Sequence, residues 1–218
     1  MNQTAVIFDV DGVLVDSYQP HFLSWRQMLG ELGEEFTEAT FRETFGRTNP
    51  DIFATLYDEK YSSAEVKEAA DRKEAIYREL IEKDFPSVDG AVEIIDLLSD
   101  AGFALAVGSS GPPENVSLTL ECLGRADLFS ARVTGTDVTR GKPDPQVFLL
   151  AAEKLAIAPE RCVVVEDAPA GVAAAKSAGM GCVALTGTAT GELLAEADLV
   201  VDSLRELKAE DFASLIAP

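Results

Sequence analysis

VIFDVDGVLVDS, residues 6 to 17, begins as an apolar run and ends in acid: Asp9, Asp11 and Asp16 crowd into and just after a stretch that ought to enter a core. Carboxylates that close together repel one another and each resists losing water, so the arrangement is costly unless a cation or a reaction compensates. The rest of the chain shows where the segment belongs. From residue 86 onward one theme repeats: a short β-branched run, a Gly- or Pro-bearing turn, then a helix rich in Ala and Leu. The strands read as TAVIF (4–8), FALAV (103–107), ARVTG (131–135), CVVVE (162–166), CVAL (182–185) and DLVV (198–201). Runs so uniformly apolar are buried on both faces, which predicts an α/β fold, a doubly wound parallel sheet sandwiched by helices. Asp144-Pro145 reads as an N-cap with proline at the first helical position, and the Ala-Gly pairs at 101–102 and 178–179 as glycine C-caps.

Residues 17–85 break this rhythm. They read as helical throughout, without a convincing strand, and so as an inserted all-helical cap domain; residues 1–16 and 86–218 form the discontinuous core domain. The linkers fall near Asp16-Ser17 and Asp84-Ser87, and Asp16 is expected to cap or hinge the insertion. An insertion at the carboxyl end of the first strand belongs over the crevice where open α/β sheets bind ligands, as a lid would.

Composition narrows the partners. Over 218 residues, 18 basic side chains face 38 acidic ones, a net charge of -20. That balance argues against extended contact with nucleic acid or an anionic membrane, and an anionic substrate would need a local positive spot. The N-terminus lacks the pattern of a signal peptide, and no segment approaches the ~20 apolar residues of a membrane span. Cys122, Cys162 and Cys182 are odd in number, widely spaced and set among aliphatics, suggesting neither a disulfide framework nor a zinc site. A cytoplasmic protein with reduced thiols, a monomer or weak dimer, is expected.

Functional groups in such sheets gather at the carboxyl ends of strands. The first strand delivers Asp9 and Asp11, the second Gly108-Ser109-Ser110-Gly111 and the fourth Glu166-Asp167; Lys142 precedes a capped helix in TRGKPDP (139–145). Asp9, Asp11 and Asp167 around one point, with Glu166 in support, suit a hard cation such as Mg2+. Ser109, the amides of the Gly-Ser-Ser-Gly turn that includes Ser110, and the Lys142 ammonium could hold the remaining oxygens of a phosphoryl group. A carboxylate nucleophile, a second acid two residues away, a metal and a lysine make a phosphoryl-transfer site.

FDVDGVLVDS, VGSSG, RGKPDPQVF and VVEDAPAGVAAAKSAGM occur in this order, each at a strand end. With these motifs the chain resembles, over essentially its whole length, the haloacid dehalogenase superfamily, in the branch of phosphoglycolate phosphatases, sugar phosphatases and β-phosphoglucomutases. The resemblance implies that Asp9 attacks phosphorus to give an aspartyl-phosphate, while Asp11 protonates the leaving oxygen and later activates water. It implies that Asp167, the Asp9 carboxylate and the Asp11 backbone carbonyl hold Mg2+, with Glu166 direct or through water, and that Ser109 and Lys142 bind phosphate. Asp11 favours phosphate chemistry, because a halide leaving group needs no proton donor.

In the insertion, His21 lies four residues before Trp25 on one helix face and by itself reads as an ordinary surface or core histidine. In DSYQPHFLSW, however, its spacing matches the β-phosphoglucomutase-like pattern, in which the corresponding histidine lies near the acid/base aspartate; Trp25 reads as packing. Lys73 falls near the middle of a stripe formed by Val66, Ala70, Ile76, Tyr77 and Leu80, either snorkelling to water or meeting an anionic or hydroxylated substrate. Phe45-Gly46-Arg47-Thr48 resembles the family's specificity loop, although Arg47 comes earlier than in the mutase pattern. The expected activity is a Mg2+-dependent phosphatase acting on a small phosphorylated metabolite. The alternatives are a phosphosugar mutase of the β-phosphoglucomutase type and, more distantly, a non-catalytic phospho-aspartate signalling module.

Overall fold

The computed structural model describes residues 3–44, 48–58 and 60–216. In chain order the elements are β1 (Ala5–Phe8), α1 (Tyr18–Glu31), α2 (Glu38–Thr44), α3 (Asn49–Tyr57), α4 (Ser63–Lys83) and α5 (Ala91–Asp100). β2 (Ala104–Gly108), α6 (Pro113–Cys122), β3 (Phe129–Val133), α7 (Gln146–Leu155) and β4 (Cys162–Glu166) come next. The chain then forms α8 (Pro169–Ser177), β5 (Gly181–Leu185), β6 (Leu199–Val201) and α9 (Ala209–Ser214). Contacts divide it into two compact units, Met1–Asp16 with Pro86–Pro218, and Ser17–Phe85.

The first unit is built on one six-stranded sheet in the order β3-β2-β1-β4-β5-β6, every pairing parallel. β1 and β4 are buried along their whole length, as strands covered on both faces must be. The strand order reverses direction at β1, the switch point at which such sheets leave a crevice beyond their carboxyl ends. Gly102 and Gly179, at φ +85° and +74°, come just after the last turns of α5 and α8 and end them as the Ala-Gly pairs predict.

Strand ends shift from expectation where side chains offer the backbone other partners. β3 starts at Phe129 and stops at Val133, because Thr134 donates both its N–H and its hydroxyl to Asp137 and the Gly135 N–H donates to the Gly111 carbonyl. Phe103 stays outside β2 and its ring packs edge-on against Phe212. α7 begins one residue later than the sequence predicts, with Pro145 at the N-cap and the Asp144 carboxylate accepting the Gln146 N–H.

The second unit contains no strand among its described residues. Its core is aromatic: Trp25 packs against Phe36 and Phe53 at centroid distances of 5.9 and 5.7 Å, with Phe22, Phe41, Met28 and Ile76 around them. α4 opens on a capping box in which the Ser62 hydroxyl accepts the Glu65 N–H and the Glu65 carboxylate accepts the Ser62 N–H, satisfying two otherwise orphaned donors. Trp25 is buried packing, in agreement with its position in the sequence.

Candidate active site

Three adjacent strands, β2, β1 and β4, deliver Ser109, Asp9 and the Glu166-Asp167 pair to the carboxyl edge of the sheet, and the connection between β3 and α7 adds Lys142. Asp9 leaves β1 with its N–H donated to the Val165 carbonyl, so the strand pairing fixes the backbone that carries it. Its Oδ1 accepts from the Lys142 ammonium at 2.7 Å, and the same ammonium donates to Glu166 Oε1 at 2.6 Å. Asp9, Glu166 and Asp167 are all buried, and each turns an oxygen to within 4.8 Å of the others. Three buried carboxylates against one ammonium leave a negative excess that an all-oxygen site for a hard divalent cation would balance, so the residues present fit Mg2+.

The electrostatics of the metal-free chain carry the strain of that excess. Burial, reinforced by the charges of Glu166 and Asp11, pushes Asp9 up to about 7 against the pull of Lys142. Asp167 lies well above the usual carboxylate range, through burial and then Glu166 and Asp9, only partly offset by a hydrogen bond from Thr188 and by Lys142. Burial alone would depress Lys142, but Asp9 and Glu166 hold its ammonium above the ordinary lysine range.

Local packing explains the positions. β2 ends in Gly108 because the Phe148 ring occupies that space: a Cβ there would lie 2.8 Å from it. The same ring carries the Lys142 ammonium 4.8 Å from its centroid. Gly12 turns the loop after Asp11 at φ +76°, where a Cβ would strike Asp167 Oδ2 at 1.8 Å. Ser109 is buried, and its hydroxyl accepts the Gly111 N–H at 3.0 Å. A Cβ on Gly111 would lie 3.3 Å from Ser109 Oγ and 3.7 Å from Asp11 Oδ2, so the second acid reaches the serine loop. The Ser110 side chain is exposed, while its carbonyl is pressed against Gly135.

The structure thus brings Asp9, Asp11, Ser109, Lys142, Glu166 and Asp167 to one edge, with Ser110 alongside. Asp16 is exposed, and its N–H donates to the Pro86 carbonyl at the boundary between the units. Sequence reasoning passed over Thr188, Gly12 and Gly171. Thr188 comes after β5 in LTGT, a small hydroxyl and a glycine at a strand end, which is the signal that singled out Gly-Ser-Ser-Gly after β2.

Within the helical unit, Lys73 is 3% exposed, so its ammonium does not snorkel to water. It lies 2.8 Å from His21 Nδ1 and 3.0 Å from Glu74 Oε1, and Glu74 Oε1 also accepts from the Asn49 amide at 2.9 Å. An ammonium can only donate, so His21 Nδ1 accepts and the proton of the neutral imidazole sits on Nε2. The ring stacks on Tyr77 at 4.2 Å. Gly46 and Arg47 lie outside the described residues.

A doubly wound sheet whose central strand ends in a lysine-held aspartate within an acidic cluster defines an enzyme of phosphoryl transfer, and comparison with known proteins agrees. Residues 3–179 match the family model of haloacid dehalogenase-like hydrolases, and the chain belongs to that family. It is 35% identical to the validoxylamine A 7′-phosphate phosphatase of Streptomyces hygroscopicus subsp. limoneus, over 93% of this chain and 94% of that protein. It is 34% identical to the β-phosphoglucomutase of Bacillus subtilis (strain 168), over 94% of this chain and 92% of that one. Among solved structures, CbbY from Rhodobacter sphaeroides in complex with xylulose-1,5-bisphosphate superposes with a TM-score of 0.88 at 25% identity, covering 99% of this chain and all of that one. Those relatives include a phosphatase and a phosphoglucomutase, and this chain is a phosphatase or mutase of the same family. No helix among its described residues is long and apolar enough to cross a membrane.

Proposed function

We propose that the chain is a Mg2+-dependent phosphatase that hydrolyses a small phosphorylated metabolite through an aspartyl-phosphate on Asp9. The observation that carries this reading is the Asp9 carboxylate: buried, backbone-fixed, and held through one oxygen by Lys142 beside Glu166 and Asp167. Asp9 attacks phosphorus, the P–O bond to the leaving group breaks, and Asp11 gives that oxygen its proton. Asp11 then takes a proton from water, which attacks the same phosphorus and releases phosphate and the free Asp9 carboxylate. Lys142, the Ser109 hydroxyl and the Ser110 amide bind the phosphoryl oxygens, on which negative charge must be held during transfer.

Mg2+ bound by Asp9, Asp167 and the Asp11 carbonyl, with Glu166 direct or through water, would supply the positive charge that keeps Asp9 ionised and neutralises the phosphoryl oxygens. The helical unit is read as the cap domain, and His21, Lys73, Gly46 and Arg47 are its candidates for setting substrate specificity. A cytoplasmic location fits the free thiols of Cys122, Cys162 and Cys182.

The similarity to a named β-phosphoglucomutase supports a second reading, in which the phosphoenzyme returns its phosphoryl group to a sugar. Phosphate release from a panel of sugar phosphates and phosphoglycolate, with mutase turnover followed in parallel, separates the two. Asp9→Asn is expected to abolish turnover, and Asp11→Ala to leave at most slow release from a trapped phosphoenzyme. Wild-type rates in the Asp9 variant would sink the mechanism.

A further inference from the structure

Gly171 lies in the first turn of α8, and glycine is a poorer helix former than alanine. Its φ is not positive, so the backbone does not demand it. Space does. A Cβ at Gly171 would lie 1.8 Å from Glu166 Oε1, 1.9 Å from its Cδ and 2.4 Å from Oε2, so the Glu166 carboxylate fills the volume that any other residue would claim. Seated there, Glu166 is 1% exposed, and its Oε2 accepts the N–H groups of Asp167 and Ala168, each at 2.9 Å. Its Oε1 faces Lys142 at 2.6 Å, and Lys142 in turn holds Asp9 at 2.7 Å.

The geometry points to Gly171 as a positioning residue of the phosphoryl-transfer centre: its missing side chain seats Glu166 against the start of α8, and through Glu166 it sets Lys142 against Asp9. This rests on the reading of Asp9, Glu166 and Asp167 as the Mg2+ site. Displacing the Glu166 carboxylate frees one side of the Lys142 ammonium and moves one of three acids out of the cluster, so metal uptake weakens although Gly171 touches neither metal nor substrate.

A double-mutant cycle tests this on the intact chain, with MgCl2 alone as the probe and Kd read by calorimetric titration, alongside far-UV circular dichroism and kcat. Gly171→Ala is expected to weaken Mg2+ binding about tenfold or more and to lower kcat. Glu166→Ala removes the side chain with which the new methyl collides, so adding Gly171→Ala to it should change Kd by less than about twofold. If Gly171→Ala alone fails to fold while the double variant folds like Glu166→Ala, the collision is shown and the assignment stands. Additive losses, a double variant that also fails to fold, or unchanged Mg2+ binding in folded Gly171→Ala would overturn it. Absence of Mg2+ binding by the wild-type chain would instead overturn the reading of the centre on which it rests.

Discussion

Asp9 sits where an ionised carboxylate is least comfortable, buried and beside Glu166 and Asp11, with Lys142 as its compensation. Its folded value of about 7 lies above the ordinary 3.8, so the folded metal-free state holds a proton that the unfolded chain releases. The stability this contributes is fully present below about pH 4 and is lost as the pH rises through about 7; the raised Asp167 acts in the same direction. In EDTA, the urea midpoint should therefore fall between pH 5 and pH 8. MgCl2 should restore most of it at pH 8 and little at pH 5, where protons compete for the same oxygens. Asp9→Asn should flatten the slope, and an EDTA midpoint that rises with pH would refute the account. The acids were conspicuous in the sequence because a strand that ends in carboxylates breaks the apolar pattern. Nothing there hinted that Gly12 and Gly171 owe their identity to the carboxylates of Asp167 and Glu166, since a missing side chain carries no pattern of its own.

Among the elements, α4 marks the reach of periodicity. The apolar stripe placed Lys73 on a buried face, but whether its charge escapes to water depends on neighbours from α1 and α3 that bring His21 and Asn49 to the same cluster. Burial would raise Glu74, but the Lys73 ammonium and the Asn49 amide outweigh it and hold the carboxyl below its ordinary 4.5. Its contribution is therefore present above about pH 4.5 and is lost as the pH falls through the folded value, opposite in sign to that of Asp9. Glu74→Gln leaves a buried ammonium short of its counter-charge and should cost about 3 kcal/mol at pH 7, less as the pH falls. Lys73→Met with Glu74→Gln should cost less than Glu74→Gln alone, as chemical denaturation would show; simple addition of two independent losses would contradict the pairing. Strands were legible to within one or two residues. Their ends moved where a local acceptor such as Asp137 took up the backbone N–H, a competition decided by side chains beyond the strand itself.

For the molecule entire, a net charge of -20 acts on any anionic substrate at long range, whereas Lys142 acts only at contact. Salt screens the first and hardly touches the buried second, so kcat/KM for a phosphate monoester at fixed Mg2+ activity should rise about two- to fivefold between 10 and 150 mM NaCl. A fall would mean that a positive field steers the substrate instead. Local pattern alone was enough for the α/β class and for the strands that end in acid, hydroxyl and amine, because burial on both faces writes a continuous apolar run and function interrupts it at the strand ends. It took the assembled fold to set β1 between β2 and β4, and so to bring Asp9 against an ammonium 133 positions away. The same assembly buried Lys73 and made two glycines into spaces shaped around carboxylates. Those outcomes depend on distances between elements, which no local pattern of residues records.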